Sequence, residues 1–249
     1  MTVLLLGGTG EARALAAALV AADVDVVSSL AGRVARPALP EGRTRVGGFG
    51  GVDGLVAWLR QHRVDAVVDA THPFAATISA NAVAACSAAG VPLLRLARPG
   101  WGSRPDAATW RWVDDTGEAA TVAADLGGGV LLTTGRQGLE AFVPALRDAS
   151  VVARVVDPPE VALPPSWTVL QDRGPYTLEG ETELLRTRGV RVLVTKDSGG
   201  ALTSAKLDAA AALGVAVVVV RRPDRSGAPS VATVHEAVTW VLTRVTGPR

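Results

Sequence analysis

Short aliphatic runs that alternate with alanine-rich stretches of helical length constrain this chain more than any other feature. Val3 to Leu6 is followed by a helical stretch from Glu11 to Ala22, then Val24 to Ser28, a helix near Val52 to His62, and Asp65 to Asp69. The alternation continues through a helix over Ala75 to Ala89 and the run Pro92 to Leu96, and is then broken by Arg98, Pro99, Gly100 and Trp101. Runs apolar on both faces, separated by helices, predict a parallel sheet with helices on either side.

A second set starts with Val130 to Thr134 and runs through Val151 to Val155, Thr168 to Gln171, Val190 to Thr195 and Val215 to Val220. The expected fold is therefore α/β, with two Rossmann-like lobes of parallel sheet flanked by helices. The break lies between Arg98 and Gly129; we divide the chain into residues 1–112 and 113–249, with one larger sheet as the alternative. Pro223 to Pro229 reads as a loop and Val231 to Val245 as a closing amphipathic helix.

Composition narrows the functional classes. A chain of 249 residues, 48% hydrophobic, can bury a large core, and its charges nearly cancel to +1, which argues against a nucleic-acid partner. The single cysteine, Cys86, cannot form an internal disulfide, and with His62, His72 and His235 it shows no metal-ligand spacing, so no metal is expected. No apolar run reaches the roughly 18 residues of a spanning helix, and the start of the chain lacks the features of an export signal. A cytoplasmic protein without membrane contact is the expectation.

Gly7, Gly8, Thr9 and Gly10 follow the first aliphatic run directly and open a helix, which aims backbone N–H groups and a positive helix end at a pyrophosphate. Arg13 stands where a three-glycine fingerprint would place glycine or alanine; one turn into the helix it can also reach a phosphate. A turn that merely joins strand to helix is the alternative. The second run ends in Ser28, Ser29, Leu30, Ala31, Gly32 and Arg33, with no carboxylate for ribose hydroxyls. Serine hydroxyls and a guanidinium suit an adenosine 2′-phosphate instead, so NADPH is the expected cofactor and residues 1–112 its lobe; an exposed loop arginine is the other reading of Arg33.

Further polar turns stand where open α/β sheets bind ligands, at the carboxyl ends of strands. Asp69, Ala70, Thr71, His72 and Pro73 form one, and His72 is either a catalytic group beside the nicotinamide or a hydrogen-bonded turn residue. Thr133, Thr134, Gly135, Arg136 and Gln137 form the second, and Thr195, Lys196, Asp197, Ser198, Gly199 and Gly200 the third, which together predict a substrate cleft in residues 113–249. Of the 25 Lys and Arg residues only Lys196 and Lys206 are lysines, so lysine at position 196 is informative. Lys196 can meet a carboxylate or give a proton to a carbanion; its bland alternative is a surface pair with Asp197. Tyr176, the only tyrosine, has Gly180 four residues on, so the Tyr and Lys pair of short-chain dehydrogenases is absent. Trp101 is placed to stack on a flat ligand.

Leu-Gly-Gly-Thr-Gly-Glu-Ala-Arg at 6–13, Asp-Ala-Thr-His-Pro-Phe-Ala at 69–75, Arg-Pro-Gly-Trp at 98–101, Thr-Gly-Arg-Gln at 134–137, Gly-Pro-Tyr at 174–176 and Thr-Lys-Asp-Ser-Gly-Gly at 195–200 together resemble the precorrin-6A reductase family. Arg13 belongs to that pattern. The resemblance implies that NADPH delivers a hydride to the tetrapyrrole precorrin-6A, giving precorrin-6B on the way to the corrin ring. The cobalt-containing counterpart of the anaerobic route is the close alternative, and a non-catalytic NADP sensor a more distant one. The implied cofactor residues are Gly7, Gly8, Thr9, Gly10, Glu11, Arg13, Ser28, Ser29, Arg33, Thr71 and His72. Arg98, Trp101, Arg136, Gln137, Tyr176, Lys196 and Ser198 are expected at the substrate, with Arg173 and Lys206 as further rim cations. Lys196, Asp197 and His72 are the catalytic candidates. Transient contact with neighbouring pathway enzymes is a further expectation.

Overall fold

The computed structural model describes residues 1–32, 39–201, 203–224 and 227–245. The chain folds into two units, one made of Met1–Arg98 and the chain from Pro223 onward, the other of Pro99–Arg222.

In chain order the first unit opens with β1 (Thr2–Leu6), α1 (Gly10–Ala21), β2 (Asp25–Leu30), β3 (Arg43–Val46), α2 (Gly51–Gln61), β4 (Ala66–Asp69), α3 (Ala76–Ala89) and β5 (Leu93–Leu96). The second unit contributes β6 (Arg111–Val113), α4 (Thr116–Leu126), β7 (Gly129–Leu132), α5 (Val143–Leu146), β8 (Val151–Val155), β9 (Trp167–Gln171), α6 (Leu178–Thr187), β10 (Val190–Lys196), α7 (Ala205–Leu213) and β11 (Ala216–Val220). The chain then returns to the first unit with β12 (Ser230–Val231) and α8 (Val234–Val245).

Every pairing in both sheets is parallel. The first sheet runs β3-β2-β1-β4-β5-β12 and the second β9-β8-β7-β10-β11-β6. Both are doubly wound: the chain moves outward from β1 or β7 in one direction, then starts again on the other side, which leaves a switch point between β1 and β4 and another between β7 and β10.

Strand alternation builds two cores on the first sheet. Val3, Leu5, Val24, Val26 and Leu94 pack with Leu15, Ala16 and Leu19 of α1 and with Ala237 and Val241 of α8. Leu4, Leu6 and Val67 point the other way, against Leu55 and Leu59 of α2 and Ala82, Ala85 and Cys86 of α3. In the second unit Leu131, Val152, Leu193, Val217 and Val219 pack with Leu185 of α6, Leu207, Ala209 and Ala210 of α7, and Trp101 and Trp110. Local signals set the helix ends. The Thr9 hydroxyl accepts from Ala12 N at 3.1 Å to open α1, Asp115 accepts from Glu118 N at 2.9 Å to open α4, and left-handed Gly90 and Gly214 close α3 and α7.

The division of the chain differs from the expected 1–112 and 113–249. β6 pairs with β11, so residues 99–112 belong to the second unit, and β12 pairs with β5 while α8 joins the core on α1, so the tail belongs to the first. The closing helix starts at Val234 instead of Val231, because Ser230 and Val231 are spent on β5 and Thr233 caps the helix by accepting from Glu236 N at 3.2 Å.

Candidate functional site

In the first unit the turns after β1 and β4 flank the switch point and are tied together: Thr9 Oγ1 donates to Ala70 O at 2.8 Å and Ala70 N to Leu6 O at 2.9 Å. Thr9 therefore serves as helix cap and turn tie at once. Gly8 holds φ +112, a conformation for which side-chain-bearing residues are strained, and a Cβ there would meet nothing within 4 Å, so the backbone lies open to a ligand. Beside it Gly7, Gly8, Ala12, Arg13, Ser28, Leu30 and Pro40 line a hollow. Ser28 is 1% exposed and its Oγ has no hydrogen-bond partner among the described residues. A buried hydroxyl without a partner in the wall of a hollow is a group that a polar ligand satisfies. This orphaned hydroxyl, the open Gly8 backbone and the helix end are the features a nucleotide pyrophosphate and ribose require, so the residues present fit a nicotinamide dinucleotide.

Glu11 would oppose a phosphate at this helix end, but Arg98 Nη1 sits 2.5 Å from Glu11 Oε2 and neutralises it. The two residues, expected at cofactor and substrate, are thus each other's partners. Asp69 is buried and accepts from Thr71 N at 3.1 Å, Thr71 Oγ1 at 2.6 Å and the Ser79 hydroxyl, which fixes the turn that carries His72. His72 Nδ1 accepts from Phe74 N at 3.2 Å, which leaves Nε2 as the proton-bearing nitrogen of the neutral ring. Ser29 Oγ accepts from Arg45 Nη1 at 2.7 Å. Arg45 escaped sequence reading because β3 is too polar to read as a strand; an arginine on alternate positions, Arg43 and Arg45, was the available signal. Arg33 lies outside the described residues.

In the second unit the turns after β7 and β10 flank the other switch point. Thr133 Oγ1 donates to Val194 O at 3.1 Å, whereas buried Thr134 has an Oγ1 without a hydrogen-bond partner among the described residues. Arg136 reaches Pro158 O at 3.4 Å and Glu160 at 3.5 Å, and Gln137 is exposed. Lys196 ends β10 half-buried, and desolvation holds its ammonium below the ordinary lysine value. Asp197 Oδ1 accepts from Trp101 N at 2.9 Å and its Oδ2 stands 3.2 Å from Arg222 Nε, so this carboxylate is committed to holding the turn. Ser198 donates through N to Lys196 O at 2.6 Å. Tyr176 lies with the Arg154 guanidinium 4.0 Å from its ring centre, its OH donating to Asp172 O at 3.2 Å; burial first, opposed by Arg154, raises its phenol pKa. Arg173 is exposed.

Two expectations are corrected. Trp101 is 4% exposed, its Nε1 donates to Gly200 O at 3.1 Å and its ring is part of the core, so it is not offered to a flat ligand. Lys206 is 4% exposed, donates to Thr203 O at 2.8 Å and lies 4.9 Å from the Trp101 ring centre, which makes it an internal brace instead of a rim cation. Among the described residues no group of His, Cys, Asp and Glu could hold a metal, and no helix is long and apolar enough to cross a membrane.

The family model "Precorrin-6x reductase CbiJ/CobK" matches residues 2–242. The chain is 52% identical over 245 residues to the precorrin-6A reductase of Rhodococcus erythropolis, covering 97% of each chain. It is 53% identical over 242 residues to that of Mycobacterium tuberculosis (strain ATCC 25618 / H37Rv), covering 96% of each. To the cobalt-precorrin-6A reductase of Priestia megaterium the identity is 34% over 235 residues, covering 89% of this chain and 90% of the relative. The solved structure of "CobK precorrin-6A reductase" matches with a TM-score of 0.91 and 40% identity over 100% of this chain and 99% of the other.

Proposed function

The chain belongs to the precorrin-6x reductase CbiJ/CobK family, and from that premise we propose that it reduces precorrin-6A in cobalamin biosynthesis with NADPH as reductant. Its higher identity to the precorrin-6A reductases than to the cobalt-precorrin-6A reductase favours the metal-free macrocycle. The observation that carries the cofactor reading is the hollow at the first switch point, with open Gly8, Arg13 and the orphaned Ser28 hydroxyl on its wall.

NADPH, when bound, supplies the hydride. Gly7, Gly8 and the start of α1 hold its pyrophosphate, and Arg98 keeps Glu11 from opposing the charge. Arg136 and Lys196 meet carboxylates on the substrate's rim, and Thr134 offers a hydroxyl beside them. Hydride addition to a conjugated ring leaves an electron pair that one proton must take up at the neighbouring carbon. Lys196 is the donor in this reading, because a desolvated ammonium gives up its proton more readily than an exposed one, and Asp197 positions it by fixing the turn. His72, its Nδ1 held by Phe74 N and its turn fixed by Asp69, orients the carboxamide or the substrate at the first switch point.

Anaerobic spectrophotometry with precorrin-6A and either NADPH or NADH tests this directly. Cofactor oxidation in step with a change in the macrocycle's visible absorption, faster with NADPH, is expected. Turnover of the cobalt-containing macrocycle alone would reassign the substrate, and NADPH binding without any oxidation would favour a sensor.

A further inference from the structure

We infer that Arg45 selects the phosphorylated nicotinamide cofactor, its guanidinium receiving the adenosine 2′-phosphate beside the hydroxyl of Ser29. The inference rests on the cofactor reading of the first unit. β2 and β3 are in register with Ser29 opposite Arg45, so the guanidinium belongs to the strand end next to the nucleotide hollow, where a dinucleotide's adenosine ribose is read. The turn after β3 closes onto the same end, with Gly47 N donating to Leu30 O at 2.9 Å.

The side chain is held ready for an anion. Nη1 donates to Ser29 Oγ at 2.7 Å and to Gly47 O at 2.9 Å, Nη2 donates to Gly48 O at 2.9 Å, and Cζ lies 3.8 Å from the Phe49 ring centre. Nε–H and one Nη2–H have no hydrogen-bond partner among the described residues, and neither does the O–H of Ser29, which is an acceptor in its contact with Arg45. Arg43, two residues earlier, is paired with Asp25 at 2.5 Å, whereas Arg45 has no carboxylate within ion-pair distance among the described residues. A part-buried guanidinium held by neutral groups alone is destabilised by desolvation, and burial lowers its pKa accordingly; a phosphate dianion supplies the missing charge. The unsatisfied Ser28 hydroxyl on the opposite face of β2 is an independent sign that a polar ligand comes to this strand end.

The test is calorimetric titration of the full chain and its Arg45→Gln and Arg45→Lys variants with NADPH, NADH, 2′,5′-ADP and 5′-AMP. Arg45→Gln is expected to weaken NADPH and 2′,5′-ADP about 10- to 100-fold while NADH and 5′-AMP stay within about 2-fold, and Arg45→Lys to fall between. Equal losses for phosphorylated and unphosphorylated ligands would make Arg45 a brace for the turn and overturn the inference, as would an unchanged preference for NADPH. A wild-type protein without that preference would overturn the NADPH reading itself and this inference with it.

Discussion

The two units share the order of five strands, β3-β2-β1-β4-β5 and β9-β8-β7-β10-β11, and differ in what stands at the switch point. In the first, the strand runs into Gly7, Gly8, Thr9 and Gly10 and straight into the twelve-residue α1, so bare backbone and a helix end face the ligand. In the second, the equivalent turn is Thr133, Thr134, Gly135, Arg136 and Gln137, and it leads through Gly138 into a 3-10 turn, Leu139–Phe142, ahead of the four-residue α5, so no long α-helix starts at the turn as α1 does in the first unit. Its charge comes from side chains, Arg136 and Lys196, instead of from the backbone. The partner turns diverge as well, since β4 ends in a carboxylate, Asp69, that accepts from three local donors and lies 3.9 Å from Arg95 Nε, and β10 ends in Lys196. Topology thus decides where a ligand can sit, and the five or six residues of each turn decide which chemistry it meets.

Single substitutions should separate this division of labour, and this is the largest effect expected. Lys196→Met should lower the reduction rate by about 100-fold or more while leaving NADPH affinity unchanged, the size expected for loss of a proton donor. Gly8→Ala, strained at φ +112, should do the opposite and weaken NADPH about 10-fold with the turnover of bound substrate preserved. Rapid-quench kinetics and fluorescence titration read the two quantities separately. Because desolvation lowers the Lys196 pKa, the alkaline limb of the rate profile should lie below the ordinary lysine value of 10.5, and Lys196→Met should remove it.

The same comparison applied to buried carboxylates predicts a stability effect next in size. Asp69 accepts from two hydroxyls and an amide and has Arg95 Nε 3.9 Å from its Oδ2, whereas Glu181 has one oxygen on Arg154 and the other without a hydrogen-bond partner among the described residues. Both members of that pair are nearly inaccessible to water. Glu181→Ala should therefore destabilise the second unit by about 3 to 5 kcal/mol in urea unfolding, since it strands a buried guanidinium. Arg154→Met with Glu181→Leu should recover much of that loss.

How far the sequence could be read follows the same line between local and non-local causes. The turns after β1, β4, β7 and β10 were legible because strand, turn residues and helix cap are consecutive in the chain. β3, β6 and β12 were not: Arg-Thr-Arg-Val is too polar, and three- and two-residue strands carry no periodicity, so each exists through its partner strand. Missing β6 and β12 moved the boundary. Trp101 misled for a related reason. Arg-Pro-Gly-Trp reads as an exposed break, but a Cβ on Gly100 would come within 2.5 Å of Asp197 Oδ2, and its absence lets that carboxylate grip Trp101 N and draw the ring into the core. Arg45 was invisible until β3 was placed beside Ser29.

The smallest effect expected concerns whether the two units unfold together. The buried Cys86 belongs to the first unit, and burial pushes its thiol from an ordinary value of 9.0 up to about 12. Native labelling at pH 8 should therefore be slow, because both access and the thiolate are lacking, and its rate should report opening of the first unit. The sign with pH follows: burying the neutral thiol favours folding below about pH 9, and that contribution is lost progressively as pH rises to about 12. Trp101, Trp110, Trp112 and Trp167 all lie in the second unit, so tryptophan fluorescence chiefly follows that one. With separate cores, thiol exposure and fluorescence should show different urea midpoints, and Glu181→Ala should move the fluorescence midpoint alone. Coincident midpoints in both proteins would mean that the two units, for all their difference at the switch points, melt as one.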